Sequence, residues 1–412
     1  MCVFRWIFLV LLAGWGPFAL AGPLTFGAAL DLAEQQSPAL AASSAQLAAA
    51  QSAAVPAGSL PDPKVVAGID NYPISGPERG QLNADPMTMQ RVGFMQDVPN
   101  AAKRRAREDV AQARVAVAAA ERETLRVKVR REAALAWLSV YYLQRRLALF
   151  DSLDRENRLL DDAVRARVAS GRGPVSDAVM PRQEAAALAD RRDELERDLT
   201  RARAGLRRLL GPAADGALAG DPPVIPVDPQ RLRAHLHAHP ELVAFEAERR
   251  RAEGEVREAT AQKRVDWGVE MDYQHRASQF GDMVSVQFTF ALPVAPGTRQ
   301  DPIIAAKTQE LTRIDAERDA MLRDHADSLE SDLADYQALT RQAARSRGVS
   351  LPLAQEKVDL TASGYRAGKG ELAALVAARA ALVEERLRLI DLEGRQAAAA
   401  ARLYYAQGEA RP

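Results

Sequence analysis

Cysteine is almost missing from this 412-residue chain: Cys2 is the only one. Beyond position 2, disulfide frameworks and thiolate metal sites are therefore excluded. Aromatic residues are scarce too, at 5%, although 47% of the chain is hydrophobic. Alanine supplies much of that fraction, a mix that suits long, closely packed helices better than a large aromatic core. There is no excess of either charge, with 55 basic and 55 acidic residues. A nucleic-acid partner would favour a basic surface, so none is expected. After the N-terminal segment there is no apolar run long enough for a transmembrane helix, and a membrane crossing would have to use strands. No nucleophile–base pair, phosphate loop or dinucleotide fingerprint is recognisable. No catalytic residue and no cofactor site is therefore singled out.

The N-terminus reads as an export signal. Arg5 supplies positive charge, residues 6–15 are apolar, and Ala19-Leu20-Ala21 is a small-x-small cleavage site. Residues 1–21 are the expected signal peptide, and Cys2 leaves with it. Leu11-Leu12-Ala13-Gly14 would suit a lipoprotein signal, but Trp15 stands where a cysteine would be needed. No lipid anchor is expected.

The rest of the chain is written twice. Ser37-Pro38-Ala39-Leu40 returns as His239-Pro240-Glu241-Leu242, the run 92–99 as 286–293, and Gly171-Arg172-Gly173 as Gly368-Lys369-Gly370. The offsets lie between about 194 and 202 residues. Such repeats are sought first because they set the architecture. The first copy covers 22–210, residues 211–229 form a linker rich in Pro, Gly and Asp, and the second copy covers 230–412. Each copy reads helix, strand, strand, very long helix, turn, helix.

Strands are expected at about 64–72 and 88–98, and again at about 265–275 and 283–293. In the second copy Trp267, Val269, Met271 and Tyr273 alternate with polar residues, and so do Val286, Phe288 and Phe290. Period two puts the apolar side chains on one face and the polar ones on the other. The runs have the length of tilted bilayer-crossing strands, with a wet face carrying carboxylates. A half-buried antiparallel hairpin shows the same alternation. Residues 101–170 contain no Gly or Pro. A continuous helix over about 101–168 would reach roughly 100 Å and calls for a coiled-coil-like assembly. Its counterpart, about 302–366, is expected to kink near Gly348 and Pro352. Gly171, Gly173, Gly368 and Gly370 mark the turns at the helix tips. Return helices follow at about 175–210 and 371–406.

Four strands cannot close a membrane barrel, which begins at about eight, and an open edge in lipid leaves backbone groups unsatisfied. Strands from several chains must then share one sheet. Three chains would give about twelve strands and an open lumen.

At this point the residues carry a resemblance. Leu24-Thr25-Phe26-Gly27-Ala28-Ala29-Leu30 followed by Ser37-Pro38-Ala39-Leu40-Ala41-Ala42 resembles the opening motif of the TolC-type outer-membrane efflux factors. Gln96-Asp97-Val98-Pro99 with Lys103-Arg104 resembles their strand-to-helix junction, although Asn100-Ala101-Ala102 departs from the usual Pro-Gly-Lys-Arg string. Residues 171–177 and Tyr365-Arg366-Ala367-Gly368 resemble their tip turns. The resemblance implies a mostly α chain with a membrane β-barrel. Two repeats would each give a strand hairpin and a long helical hairpin, and a homotrimer would form a twelve-strand barrel and a periplasmic α-helical barrel. It implies a passive, non-catalytic duct in the outer membrane. The implied partners are a periplasmic membrane-fusion adaptor, a proton-driven inner-membrane pump of the resistance-nodulation-division type, and outer-membrane lipid. Around residues 86–107 the chain is most similar to the heavy-metal (cation) branch. A drug-efflux or protein-secretion duct is the alternative within the class, and a soluble periplasmic coiled-coil adaptor the rival outside it.

The resemblance also points to candidate sites. Trp267, Val269, Met271, Tyr273, Val286, Phe288 and Phe290 are expected on the lipid face of the barrel. The family places acids at its periplasmic aperture, and Asp177 stands six residues after Gly171. The matching residue in the second copy is Ala374, with Glu371 one turn away. Arg172, Asp177, Lys369 and Glu371 are therefore the candidates for the aperture and for adaptor docking. Carboxylates from three chains brought close would form a ring that attracts cations. Asp177 equally suits a first helical turn, where it would stabilise the dipole by about 0.3–1 kcal/mol. His235 and His239, four apart, would share a helix face suited to a metal ion; a polar surface helix is the plainer reading. Met87, Met89 and Met95 suit soft cations or simple filling of apolar space.

Overall fold

The computed structural model describes residues 23–406. The expected signal peptide and Cys2 lie outside them. The elements are α1 (Phe26–Gln36), α2 (Pro38–Ala54), β1 (Lys64–Asp70), β2 (Met89–Val98), α3 (Ala101–Ala148), α4 (Phe150–Ala169), α5 (Met180–Leu210), α6 (Pro229–Ala234), α7 (Pro240–Ala261), β3 (Asp266–His275), β4 (Met283–Ala291), α8 (Pro296–Arg345), α9 (Leu351–Arg366) and α10 (Leu372–Tyr405). The chain is mostly α, with one four-stranded antiparallel sheet in the order β1-β2-β3-β4. Among the described residues no helix is long and apolar enough to cross a membrane.

The chain forms two compact units, and they cut across the two sequence copies. Of the described residues, one gathers 23–36, Glu132–Val224 and Leu339–Ala398; the other gathers Ser37–Arg131, Ile225–Ala338 and 399–406. In the second unit the copies are joined by the pairing of β2 with β3, in which Phe94 lies opposite Met271. Each copy supplies one hairpin, and neither hairpin stands alone.

In the first unit Trp137 is fully buried. Its indole N–H donates to the Leu24 carbonyl at 3.1 Å. Phe26 meets the ring edge-on at 5.4 Å, and Tyr141 stacks on it at 5.2 Å. A buried indole needs such an acceptor, and the offset aromatic contacts add to its burial. A second cluster forms around Phe150, Leu153, Leu188, Leu195, Val383 and Leu387. Gly394 lets two helices approach closely here, since a Cβ on it would come within 2.9 Å of the Tyr142 ring.

The first long helix, expected to be unbroken, is interrupted. Leu149 falls between α3 and α4, and its N–H turns back to the Arg146 carbonyl, three residues earlier, at 3.3 Å. One tightened turn of this kind needs neither Gly nor Pro. In the second copy the expected kink is a π turn over Ser346–Ser350, just before Pro352. Proline has no N–H and its ring crowds the carbonyl four residues back, so a widened turn relieves it. Ser346 is buried there and donates to the Glu385 carboxylate at 2.6 Å. Leu149 and Ser346 are 197 residues apart, the same offset as Gly171 and Gly368. Both copies therefore break at the equivalent place, and the difference lies in how: tightened in the first, widened in the second.

Candidate functional site

In its two central strands, β2 and β3, the sheet in the second unit is apolar where it is exposed and charged where it is covered. Directly opposed residues of antiparallel strands share a face. The register Val65–Phe94–Met271–Val286 therefore runs one apolar row across all four strands. Trp267 pairs with Phe290, Val269 with Phe288, and Tyr273 with Val284. All seven residues expected on the lipid face share this side. Phe288 is 58% exposed and Phe290 63%, whereas Glu270 and Asp272 on the other side are 8% and 3% exposed. A sheet with this polarity is reversed relative to one packed on a soluble core.

The charged face is organised by Arg91. Its guanidinium lies 3.6 Å from Asp70, 3.7 Å from Glu270 and 3.9 Å from Asp272. Gly93 lies opposite Asp272. A Cβ at position 93 would sit 1.9 Å from Asp272 Oδ1, so the missing side chain is the space the carboxylate occupies. Met89 and Met95 lie on this same face by the alternation of β2, while Met87 is exposed outside the strand. β2, β3 and β4 have 10, 10 and 9 residues, but β1 has only 7. Ten residues at about 3.4 Å rise and 45° tilt cover roughly 24 Å, the height of a barrel's apolar band.

The junction whose sequence departs from the family string is built by Asn100. Its side-chain Oδ1 accepts from Lys103 N–H at 2.9 Å, which caps α3. Its own N–H and its side-chain NH2 both donate to Asp266 Oδ1 at 2.8 Å. Lys103 reaches Asp266 Oδ2 at 2.8 Å. The start of α3 is thereby tied to the first residue of β3.

The helix tips lie in the first unit, and both end in the same motif. After α4, Gly171 N–H bonds to Val168 O at 3.0 Å and Arg172 N–H to Arg167 O at 3.0 Å. After α9, Gly368 N–H bonds to Tyr365 O at 3.1 Å and Lys369 N–H to Gly364 O at 3.0 Å. This is the Schellman pattern, which needs a left-handed residue; Gly171 and Gly368 have φ 71° and 73°. Gly173 and Gly370 flank the turns without positive φ. Arg172, Lys369 and Glu371 are exposed, and Asp177 is half-buried. Asp177 sits on a 3-10 turn, Val175–Val179, so the return helix starts at Met180 rather than near 175.

Arg167 joins the two tips. Its Nη1 donates to Tyr365 O at 2.6 Å, its Nε to Arg172 O at 3.1 Å, and its guanidinium lies 4.3 Å from the Tyr365 ring centre. Below them Leu160, Val164, Tyr365, Leu372 and Leu375 form the tip core. Burial holds the Tyr365 hydroxyl above its usual range, with Arg167 opposing and Asp177 adding to the shift. Arg167 was not among the sequence candidates, because its acceptors are backbone carbonyls that leave no side-chain signature. Replacing Arg167 with alanine is expected to loosen the second tip. Loss of about 1.5 kcal/mol, the low end for a charge-assisted bond, would raise amide exchange at 368–370 roughly tenfold. Exchange unchanged from the parent protein would rule out this latch.

The histidine pair does not form as expected. His235 ends α6, and its Nδ1 lies 2.9 Å from the Arg231 carbonyl. A 3-10 turn, Leu236–Ala238, separates it from His239, which caps α7. Pro240 starts a new helix, so the two rings do not share a helical face. His239 instead stacks on His325, with ring centres 3.7 Å apart. Burial, helped by His325 and Arg131 and opposed by Glu241, pushes the His239 imidazole down to about 4, so the ring is neutral at neutral pH.

No protein-family model matches the chain, and no curated protein matches it in sequence. Solved structures do match in fold. A membrane protein from Pseudomonas aeruginosa aligns with TM-score 0.79 at 16% identity, over 93% of this chain and 90% of its own. The outer-membrane protein VceC of Vibrio cholerae aligns with TM-score 0.77 at 19% identity, over 93% and 96%. The open state of the MtrE outer-membrane channel of Neisseria gonorrhoeae aligns with TM-score 0.74 at 14% identity, over 93% and 88%. At these identities the likeness is one of fold: the chain has the fold of outer-membrane channels, over nearly its whole described length.

Proposed function

We propose that this chain is the outer-membrane channel subunit of a tripartite efflux system, a passive duct and not an enzyme. The observation that carries this is the sheet, with its apolar face exposed and its carboxylates covered. Among the described residues β1 and β4 each have one neighbour, so both sheet edges are open. Edges of this kind in lipid must be paired, and a second copy of the chain offers the matching edge. Three copies give twelve strands and a lumen, with Trp267, Val269, Met271, Tyr273, Val286, Phe288 and Phe290 against lipid and Asp70, Arg91, Glu270 and Asp272 toward water. No lipid anchor is invoked.

In this reading the tips face the periplasm. Arg172 and Lys369 are exposed turn cations suited to a periplasmic adaptor, and Asp177 and Glu371 supply acid near the aperture. A proton-driven inner-membrane pump of the resistance-nodulation-division type would provide the energy. The proposed cargo is heavy-metal cations. It is supported by the three carboxylates gathered around Arg91 on the polar face, which Met89 and Met95 share.

The test uses full-length protein extracted from the outer membrane in detergent. A trimer that forms cation-selective pores in a planar bilayer is expected. Recovery as a soluble periplasmic protein without conductance would sink the channel reading. For cargo, a deletion strain lacking redundant ducts should lose metal tolerance, and loss of drug tolerance alone would assign the cargo to drugs instead.

A further inference from the structure

The second unit holds a cluster that the channel reading does not use. His239, Glu241 and His325 each offer one ligand atom, and these atoms lie within 4.8 Å of one another. They are the one group of three or more such residues among those described. His325 Nε2 lies 3.0 Å from Glu241 Oε2. Ligands around a tetrahedral cation with bonds of about 2.0–2.1 Å are roughly 3.4 Å apart. Two of the three ligands are thus already near the required separation.

The surroundings also suit a cation. A cavity of about 50 Å³ opens beside the rings, lined by His235, His239, His325, Ser328 and Asp332 among others. That is room for a water molecule as a fourth ligand. Asp332 adds a second carboxylate at the cavity, within 3.7 Å of Arg402. Arg131 is the cation that bears on His239, and Glu241 offsets it.

We propose that His239, Glu241 and His325 bind a divalent transition cation of the Zn²⁺ type, clipping the start of α7 to α8. Two imidazoles and one carboxylate form a nitrogen and oxygen set suited to Zn²⁺ rather than to a soft cation such as Cu(I). In the metal-free state the ligands are occupied by weaker bonds. His239 Nδ1 accepts from Glu241 N–H at 3.2 Å, and His325 is hydrogen-bonded to the Glu241 carboxylate. The cation takes the place of the hydrogen shared by His325 and Glu241, and the neutral imidazole keeps its single proton on Nδ1, the tautomer change passing through solvent. The site does not depend on what the channel carries.

The experiment titrates Zn²⁺ into chelator-stripped, full-length protein in detergent, without a polyhistidine tag, by calorimetry. One Zn²⁺ per chain is expected. His325→Ala and Glu241→Gln should each weaken binding by at least roughly tenfold, while His235→Ala, at the cavity but outside the ligand set, should bind as the parent does. Zn²⁺ should raise the melting temperature of the parent and of His235→Ala, but not of His325→Ala. If His325→Ala does not fold, Glu241→Gln carries the comparison. Failure of the parent to saturate, or equal loss in His235→Ala, overturns the site.

Discussion

A Gly93→Val protein should fail to assemble in the membrane. The ideal Cβ at this position lies 1.9 Å from Asp272 Oδ1, 2.9 Å from its Cγ and 3.2 Å from the Met271 carbonyl. The first two atoms belong to the Asp272 side chain, which is 3% exposed and must leave its place beside Arg91 to make room. The third is backbone of the neighbouring strand, so β3 must give by a few tenths of an ångström as well. Overpacking of this kind costs about 1–3 kcal/mol per site, and in a trimer every chain carries it. At 1.4 kcal/mol per factor of ten, the loss of assembled trimer is on the order of a hundredfold or more. Trimer yield in detergent measures it. The contact has two partners, which permits a stricter check. Adding Asp272→Gly to Gly93→Ala moves the vacancy across the strand pair and should restore much of the assembly that Gly93→Ala loses. If the double variant assembles no better than Gly93→Ala, the packing of Gly93 against Asp272 is not what position 93 provides.

What could be read in the sequence follows the range of the forces involved. The tip turns were legible because a left-handed backbone leaves few choices, and Gly171 and Gly368 stand at φ 71° and 73°. The strand faces were legible because period two is local: Trp267 to Tyr273 alternates without a break. Neighbours distant in sequence were not. That β2 would pair with β3, Phe94 against Met271, depends on segments more than 150 residues apart. Arg167 is tied to the Tyr365 carbonyl 198 residues away, and carbonyls are present at every residue. His239 was found as a candidate and His325 was not, because Glu241 and His325 meet across 84 residues. The spacing of His235 and His239 pointed to a shared helix face, but Pro240 begins a helix and the backbone turns before it. Leu149 had no signal at all, since a tightened turn uses ordinary residues. The repeat itself supplies one in retrospect: the Ser346 π turn stands 197 residues later, at the matching place.

A single charge placed on either face of β4 should separate the membrane reading from every soluble one. Phe288 stands near the middle of the strand, 58% exposed, with Val269 opposite it. Gln287 is its neighbour, points to the other face and pairs with Glu270. An arginine facing lipid at mid-depth costs about 2–4 kcal/mol in a membrane barrel, whereas lumen-facing changes tune selectivity instead. Phe288→Arg is therefore expected to cut the amount of chain in the outer membrane severely, because three chains must each bury the charge. Gln287→Arg should insert at close to the parent level. Its pores should show weaker cation preference, since the new guanidinium adds positive charge to a face where Glu270 and Asp272 outnumber Arg91. In a soluble protein the contrast disappears. Phe288 and Gln287 are both exposed, so each would then tolerate arginine with little effect, within about 0.5 kcal/mol. Equal insertion of both variants, or loss of Gln287→Arg alone, would refute the assignment of the apolar face to lipid. The same residue type, moved by one position along the strand, thus tests which side of this sheet is out.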